Sequence, residues 1–288
     1  MALENPVKRG AVLITGTSTG IGRACALHLD RKGFKVFAGV RKVEDGNALK
    51  LESSEKLTPI IIDVSDNDSI KEAAREITKT VCKDGLSGLV NNAGIVVSGP
   101  LEFLPIEDMW RQLHVNLVGH LAVMQSFLPL LRIGKGRIVN VTSIGGRQSV
   151  PFMGPYCASK AAMEAISDSL RMELRKWNIP VSIVTPGTVI TPIWEKSQKI
   201  ARDKSQSFPM DEIELYGTDF EKVLNAPAKV QKMGVLPEKV AKVIAHILAV
   251  KKPKSRYIVG LDAKIQIMMT KLVPDSVRDR MVLWFLGL

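Results

Sequence analysis

The sequence predicts an α/β fold, in which one doubly wound parallel sheet of seven strands carries helices on both faces. Short β-branched runs alternate with segments of helical periodicity along most of the 288 residues, and strands joined by helical crossovers pair in parallel. Runs such as Ile60-Ile61-Ile62 are continuously apolar, as strands buried on both faces are. A glycine-rich stretch follows the first predicted strand. These features together indicate a single Rossmann-type fold.

The apolar pattern also places the individual elements. We expect strands at residues 12–15, 35–40, 59–64, 86–90, 137–141, 181–184 and 257–259. Helical periodicity covers residues 20–31, 66–81, 106–131 and 156–177, and a further helix begins at residue 237. Ligands of such folds bind at the carboxyl ends of the strands, so we expect the functional site at that edge.

The chain is predicted to form one domain with a short extension. Residues 1–263 would make up the dinucleotide-binding and catalytic domain, and residues 264–288 would form an apolar C-terminal extension. The sequence has no linker rich in Pro, Gly or Ser and no repeat of fixed period. Both features favour a single domain.

The net charge and the cysteine content indicate which kinds of ligand and partner the protein has. The formal net charge is +11, which would suit an anionic ligand, a membrane surface or nucleic acid. The excess lysines are scattered, so solubility is the simpler explanation, and no basic helix with interleaved aromatic residues indicates nucleic acid. The three cysteines match no metal motif and no disulfide framework. We therefore expect no metal site and a cytoplasmic protein with reduced thiols.

The turn after the first strand has the residues that a nucleotide pyrophosphate requires. Gly16 permits a tight turn, Gly20 lets the backbone approach the phosphates, and Gly22 allows close packing of the next helix. The N-terminus of that helix offers free N–H groups and a positive dipole end. The predicted turn consists of Gly16, Thr17, Ser18, Thr19, Gly20, Ile21 and Gly22. A glycine-rich loop alone is a weak signal, but this one opens a βαβ unit.

A tyrosine and a lysine lie four residues apart on a predicted helix. Tyr156 and Lys160 therefore share one helical face. A free tyrosine has a pKa of roughly 10, which is too high for proton transfer near neutral pH, and a nearby ammonium lowers that pKa. Ser143 follows the fifth strand, where its hydroxyl is placed to hold a substrate oxygen. Such a pair alone is usually an ordinary surface pair, but beside the serine and the phosphate turn it predicts an acid–base site.

Four motifs in this order resemble those of the short-chain dehydrogenase/reductase family. They are Thr15-Gly16-x-x-x-Gly20-Ile21-Gly22, Asn91-Asn92-Ala93-Gly94, Tyr156-Cys157-Ala158-Ser159-Lys160 with Ser143 thirteen residues earlier, and Pro186-Gly187. The resemblance covers roughly residues 8–260. The segment Ala38-Gly39-Val40-Arg41 is similar to the branch of 17β-hydroxysteroid and retinol dehydrogenases. The resemblance implies an NAD(P)-dependent oxidoreductase that interconverts an alcohol and a carbonyl by hydride transfer.

The resemblance also implies a role for each site residue. Tyr156 would be the acid/base, Lys160 would lower its pKa and bind the nicotinamide ribose, and Ser143 would orient the carbonyl. Asn116 matches a fourth member that shapes its helix and holds a water in a proton relay with Lys160; alone, it would be a mid-helix residue facing solvent. The other implied cofactor residues are Arg41, Asp63, Val64, Asn92, Ala93, Gly94, Pro186, Gly187, Val189 and Thr191.

The end of the second strand indicates which nicotinamide cofactor binds. An acidic residue there binds the ribose diol of NAD, whereas a nearby arginine without the acid accommodates the 2′-phosphate of NADP. Val40 takes the acidic position and Arg41 follows it, and a guanidinium can pair bidentately with phosphate. We favour NADP(H), with NAD(H) as the alternative if Arg41 only stacks on adenine. Glu44 and Asp45 lie too far into the following loop to restore an acidic pattern.

The family uses the long insert at about residues 188–234 as a substrate lid. Apolar residues on a mobile lid can close over an apolar substrate; the alternative is an ordinary packed loop. Arg147 and Met153 lie between Ser143 and Tyr156 in the sequence, so we expect all four to contact the substrate. The apolar lining predicts a steroid-, retinoid- or lipid-like secondary alcohol or its ketone.

The extension at residues 264–288 departs from shorter family members. It has two short apolar stretches separated by a proline and basic residues. It would cap the lid or a partner subunit, which we favour, or lie as an amphipathic segment on a membrane. We expect a cytoplasmic homodimer or homotetramer, associated with a membrane if the tail makes that contact.

Two other functions fit the same motifs. A catalytically idle member would bind dinucleotide as a regulatory protein, although the intact Ser143, Tyr156, Lys160 and Asn116 argue against it. An epimerase or dehydratase would use the same cofactor without consuming it. Net turnover of the nicotinamide separates both alternatives from the dehydrogenase/reductase.

Overall fold

The computed structural model describes residues 10–205, 210–230 and 234–288. The strands within these ranges are β1 (Ala11–Ile14), β2 (Lys35–Val40), β3 (Leu57–Ile61), β4 (Leu86–Asn91), β5 (Arg137–Val141), β6 (Val181–Pro186) and β7 (Arg256–Val259). They form one sheet in the order β3-β2-β1-β4-β5-β6-β7, and every neighbouring pair is parallel. The predicted doubly wound, seven-stranded parallel sheet is confirmed.

Helices connect these strands and continue past the last of them. Within the described residues they are α1 (Gly20–Arg31), α2 (Val43–Lys50), α3 (Asn67–Val81), α4 (Ile106–Leu113), α5 (Gly119–Ile133), α6 (Gly154–Glu173), α7 (Ile193–Ser205), α8 (Met210–Glu212), α9 (Thr218–Val230), α10 (Pro237–Ala249), α11 (Leu261–Leu272) and α12 (Asp275–Leu286). The prediction of a loop after β2 was wrong, because α2 occupies it. The helix expected over residues 106–131 is interrupted by a π-helical turn, His114–Val118.

Two apolar layers cover the two faces of the sheet. Side chains of a strand alternate between its faces, so Val12 and Ile14 join one layer and Leu13 joins the other. The first layer contains the buried sides of α1 and α10, and the second contains those of α3, α5 and α6. Strands β1 and β5 are buried along their whole length. This double covering explains why the central strands are apolar at consecutive positions.

The third strand is shorter at its carboxyl end than its apolar run suggests. It was expected to reach residue 64, but β3 ends at Ile61, so Asp63 and Val64 lie in the connection to α3. Asp66 caps that helix, because its carboxylate accepts from the N–H of Asp68 at 2.9 Å. Asp63 thus lies beyond the end of β3, outside the hydrogen-bonded part of the sheet.

The lid and the extension are both helical. The insert expected at residues 188–234 contains α7, α8 and α9, while residues 206–209 and 231–233, like residues 1–9, lie outside the described residues. The extension forms α11 and α12, and α12 contacts the lid helix α9.

One helical run among the described residues is long and apolar enough to cross a membrane by length and composition. This run is Ile106–Ile133. It packs against α3 and β4, and it contributes Val123, Met124 and Phe127 to the second apolar layer. Its apolar character is therefore explained by its place in the core.

Candidate active site

A cavity of about 540 Å³ opens at the carboxyl edge of the sheet. Its lining includes the residues that follow β1, β2, β4, β5 and β6, namely Gly16, Arg41, Asn92, Ser143 and Gly187. The strand order reverses between β1 and β4, and a crevice forms where the crossovers leave in opposite directions. The topology therefore places the cavity where the sequence predicted the site.

The glycines of this turn lie where a side chain would be strained or would overlap neighbouring atoms. Gly16 and Gly20 have φ angles of +69° and +58°, in the left-handed region that glycine tolerates. A Cβ on Gly22 would lie 2.1 Å from the Gly16 carbonyl oxygen. Among the described residues no side chain caps the start of α1, so its first N–H groups remain for a phosphate. This cradle fits the pyrophosphate of a dinucleotide.

Hydrogen bonds from two neighbouring strands hold this turn. The Thr15 hydroxyl oxygen accepts from the N–H groups of Asn92 (3.0 Å) and Ala93 (3.1 Å), and the Asn92 amide donates to the carbonyls of Thr15 and Gly16 (both 3.0 Å). Thr17 is fully buried, and its hydroxyl donates to the Gly39 carbonyl at 3.0 Å. Thr17 and Gly22 support the turn and are not among the cavity-lining residues, whereas the other predicted cofactor residues line it.

Charged groups gather at the end of the cavity beside β2. Arg41, Lys42, Asp45 and Asp63 all line it. The expectation that Asp45 lies too far away was wrong, because α2 brings its first turn to the cavity. The pKa of the Asp63 carboxyl is lowered, since hydrogen bonds from Ser65 and the charge of Arg41 outweigh the opposing effect of burial. Two cations and two carboxylates thus share this end, and the guanidinium and the ammonium are the groups there that could pair with a phosphate.

The three predicted catalytic residues meet in the same cavity. Ser143, Tyr156 and Lys160 all line it, and each is buried. The Ser143 hydroxyl favours the ionised form of the Tyr156 phenol, as expected for a polar neighbour of its oxygen. Lys160 Nζ donates to the Val141 carbonyl at 3.1 Å and lies 5.8 Å from the centre of the Tyr156 ring. Helix α6 supplies the tyrosine and the lysine, and the end of β5 supplies the serine.

Burial controls the charges of this group. It raises the pKa of the Tyr156 phenol to about 12, although the Ser143 hydroxyl opposes that rise. It lowers the pKa of the Lys160 ammonium to about 8. The lowering of the Tyr156 pKa by Lys160 that the sequence pattern suggested is not found, because burial dominates and the opposing effect comes from Ser143. Tyr156 is therefore a phenol at neutral pH in this structure, with a pKa above that of a free tyrosine.

Asn116 lies inside the structure and not on its surface, so the solvent-facing alternative was wrong. It is fully buried within the π-helical turn. Its amide oxygen accepts from the Ile95 N–H at 2.9 Å, and its amide nitrogen donates to the Ile95 carbonyl (3.0 Å) and the Ser159 hydroxyl (3.2 Å). Asn116 thus joins the segment after β4 to the helix that carries Tyr156.

Two further polar residues were missed by the sequence reasoning. Gln112 accepts from the Val97 N–H at 2.7 Å, and His120 Nε2 lies 2.7 Å from the Ala93 carbonyl oxygen, which can only accept. Burial, with a contribution from the charge of Lys160, lowers the pKa of His120 to about 3, so its ring is neutral. Gln112, Asn116 and His120 are spaced by four residues along an otherwise apolar helical run. That polar stripe was the signal available in the sequence.

The wall beside Tyr156 is apolar. Trp194, on α7, packs its ring edge-on to Tyr156 with 6.2 Å between ring centres. Val96, Met153 and Ile193 complete the cluster around the tyrosine. Met153 packs beside the tyrosine but is not among the described cavity-lining residues, so its predicted substrate contact stays a prediction. Trp194 does line the cavity and was not anticipated.

Arg147 is not brought to the cavity. It is absent from the described lining, and its guanidinium pairs with the buried carboxylate of Glu164. The proximity of Arg147 to Ser143 in the sequence suggested a substrate contact. The turn after Ser143 instead directs the side chain toward α6.

The comparisons with known proteins agree with this geometry. Residues 10–201 match the family described as short chain dehydrogenase. The chain is 35% identical to retinol dehydrogenase 5 of Homo sapiens, over 98% of this chain and 90% of that protein. It is 34% identical to the NADPH-dependent 3-dehydrocapnine reductase of Ornithobacterium rhinotracheale, over 93% and 94%. It is 35% identical to estradiol 17-beta-dehydrogenase 2 of Mus musculus, over 96% and 75%.

The fold has a similar experimental counterpart. A short-chain dehydrogenase from Streptomyces avermitilis superposes with a TM-score of 0.76 at 25% identity, with 96% of each chain covered. The protein thus belongs to the short-chain dehydrogenase/reductase family, in its retinol and 17β-hydroxysteroid dehydrogenase-like branch, and is an NAD(P)-dependent enzyme that interconverts alcohols and carbonyls.

Proposed function

We propose that this enzyme interconverts an apolar secondary alcohol and its ketone, with Tyr156 as the acid/base and NADP(H) as the favoured cofactor. The observation that carries the proposal is the meeting of Ser143, Tyr156 and Lys160 in one cavity with the glycine-rich turn. The nicotinamide supplies the hydride in reduction and accepts it in oxidation. Binding of the substrate oxygen and transfer of the proton are assigned to side chains of the protein.

Proton transfer is assigned to the tyrosine. A substrate oxygen placed at the Ser143 and Tyr156 hydroxyls would be held by the serine and protonated by the phenol during ketone reduction. In alcohol oxidation the proton moves the opposite way. The Lys160 ammonium, held by the Val141 carbonyl, stabilises the phenolate that forms, because charges interact strongly in a buried site.

The same cavity residues are proposed to bind the cofactor. The glycine-rich turn would hold the pyrophosphate, Asp63 and Val64 the adenine end, and Asn92-Ala93-Gly94 the ribose side. Pro186, Gly187, Val189 and Thr191 would border the nicotinamide. All of these groups except Thr17 and Gly22, which brace the turn, line the described cavity.

The 2′-phosphate of NADP is proposed to bind between Arg41 and Lys42. Both cations line the cavity beside β2, together with the carboxylates of Asp45 and Asp63. A relative named as NADPH-dependent supports this preference. NAD(H) stays the alternative cofactor.

The substrate is proposed to be steroid-, retinoid- or lipid-like. Val96, Met153, Ile193 and Trp194 form an apolar wall at Tyr156, and such walls favour apolar ligands. The names of two relatives, which specify retinol and estradiol, support an apolar retinoid- or steroid-like ligand. An epimerase or dehydratase, or an idle dinucleotide-binding protein, would give no net cofactor turnover.

The C-terminal helices are proposed to cap the lid and to contact a membrane. Helix α12 contacts α9 of the lid, which supports the cap. Trp284 and Phe285 are 83% and 58% exposed, and exposed apolar groups of this size favour an interfacial position. We propose a cytoplasmic homodimer or homotetramer, which associates with a membrane if the exposed face of α12 makes that contact.

Replacing Tyr156 by Phe should lower turnover by about 10²- to 10⁴-fold, because the phenol is the proton donor. Dinucleotide affinity should stay within about threefold, because the ring remains in place. Turnover is measured from nicotinamide absorbance, with a panel of ketones, steroids and retinoids and with each of the two cofactors. Tyr257→Phe is the matched control, since that hydroxyl accepts from Lys254 N–H away from the cavity. Activity of Tyr156→Phe equal to the wild type would contradict the mechanism.

Replacing Arg41 by Ala should weaken NADPH binding by about tenfold, since a charge-assisted contact to phosphate is lost. NADH affinity should change little. Fluorescence titration with both nucleotides gives the two ratios, and Lys50→Ala, at the opposite end of α2, controls for the loss of a surface cation. An unchanged ratio would remove Arg41 from cofactor selection.

Replacing Lys160 by Met should remove a pH dependence of stability. Burial lowers the pKa of Lys160 from 10.5 in the unfolded chain to about 8 in the fold, so between these values the unfolded state binds the extra proton. The free energy of unfolding of the wild type should therefore rise with pH across this window, by on the order of 3 kcal/mol relative to the variant. Urea unfolding at several pH values measures this free energy for the wild type and the variant. If both showed the same dependence on pH, the lowered pKa of the buried Lys160 would be contradicted.

Replacing Trp284 and Phe285 by Ser should abolish flotation of the protein with phosphatidylcholine vesicles, because the interfacial side chains are lost. Trp110→Ser removes another tryptophan, 67% exposed on α4, and should leave flotation unchanged. Light scattering on the same samples should give two or four times the chain mass of 31.6 kDa. Equal flotation of the double variant and the wild type, or a monomeric mass, would contradict the respective proposal.

A further inference from the structure

A buried carboxylate lies one helical turn beyond the catalytic lysine. Glu164 follows Lys160 by four residues on α6, so the two share a helical face. The Glu164 side chain is only 6% exposed. A carboxylate in such surroundings requires partners for its oxygens. The structure supplies partners from four different segments of the chain.

One oxygen of Glu164 faces the ends of two strands. Oε1 accepts from the hydroxyls of Thr142 at 3.3 Å and Thr185 at 3.4 Å. Thr142 is the residue immediately before Ser143, and Thr185 is the residue immediately before Pro186, which lines the cavity. This oxygen therefore links β5 and β6 next to the residues that form the site.

The other oxygen faces two guanidinium groups. Arg147 forms an ion pair with Oε2 of Glu164, and Arg256 Nε lies 3.7 Å from the same atom. Arg256 makes its shorter contact with Asp168, at 2.5 Å. Arg147 is consequently the main cation of Glu164, and Asp168 is the main anion of Arg256.

Arg147 also ends the turn that begins at the catalytic serine. The N–H of Gly146 donates to the Ser143 carbonyl at 2.9 Å, and the N–H of Gly145 donates to the Ser143 hydroxyl oxygen at 3.1 Å. The turn is pressed against α6, because a Cβ on Gly146 would lie 2.9 Å from the carbonyl carbon of Lys160. The Glu164 carboxylate therefore contacts the chain on both sides of Ser143, through Thr142 and Arg147.

We infer that Arg147 and Glu164 are a positioning pair that holds the Ser143 hydroxyl at Tyr156. The inference rests on the proposed function, since it concerns the geometry of the proton-transfer group. Neither side chain lines the described cavity, so the pair acts through the turn from Ser143 to Arg147. It assigns to Arg147 a supporting role in place of the substrate contact that its sequence position suggested.

The test compares Arg147→Gln and Glu164→Gln with the wild type. Each variant loses the charge pair, and Glu164→Gln keeps an amide oxygen for the two threonine hydroxyls. We expect kcat to fall by about 10- to 100-fold, because a misplacement of about 1 Å at a reacting group has effects of that size. Dinucleotide Kd should stay within about threefold of the wild type, measured by fluorescence titration. The double variant should lose no more than either single variant, because both remove one interaction.

Two control variants separate positioning from general stability. Asp168→Asn removes the neighbouring ion pair with Arg256 and leaves the contact between Arg147 and Glu164 in place. It should lower the melting temperature without lowering kcat of the folded enzyme. Arg147→Lys keeps a charge without the guanidinium fork and should recover part of the kcat lost in Arg147→Gln.

Hydrogen exchange gives a second readout that does not depend on turnover. The peptide covering residues 142–148 should exchange faster in Arg147→Gln and Glu164→Gln than in the wild type, whereas Asp168→Asn should leave it unchanged. An unchanged kcat and unchanged exchange in the two pair variants, or equal losses in Asp168→Asn, would overturn the positioning role. A wild-type enzyme that turns over no ketone or alcohol would instead contradict the proposed function, and the exchange result would still decide the role of the pair.

Discussion

The close approach of β1 and β4 at their carboxyl ends is the constraint on which the rest of the site depends. A Cβ on Gly16 would lie 2.7 Å from the Ala93 Cα. Hydrogen bonds of Thr15 and Asn92 connect the two chain segments that follow these strands. These bonds satisfy backbone groups that the end of the strand ladder leaves unpaired. They also fix the turn from which α1 begins. The nucleotide cradle, the cavity and the catalytic group all follow from that fixed crevice.

Burial has opposite effects on the pKa values of the two ionisable groups of the catalytic pair. The same loss of solvent that raises the pKa of Tyr156 lowers that of Lys160, because burial disfavours the charged form of each. The side chains of Gln112, Asn116 and His120 form a buried stripe on one helical run, and none of the three is charged at neutral pH. Neutral groups can be buried there once their hydrogen bonds are made. The site therefore combines a low-dielectric surrounding with a set of polar contacts in which Nδ1 of His120, among the described residues, has no hydrogen-bond partner.

Local patterns predicted much of the fold and the site. The Gly16 and Gly20 conformations, the shared face of Tyr156 and Lys160 and the ends of most strands follow from short-range geometry. Helix α2 was missed because its eight residues include a glycine and little apolar periodicity. The lid was expected as a loop because its central stretch is polar, yet α7 and α9 pack buried residues such as Ala201 and Phe220 together. Tertiary contacts stabilise these helices more than their own sequences do.

The sequence by itself determined the family, through the order of its four motifs, and the family implies the reaction class. Only the tertiary structure decided what surrounds Ser143, Tyr156 and Lys160. It placed Trp194 against Tyr156 and turned Arg147 away from the cavity toward Glu164. The physical reason is sequence distance: the first contact joins α6 to the lid, and the second joins a turn to a helix through a buried charge. Contacts between distant segments depend on how the layers pack, and no local pattern records that packing.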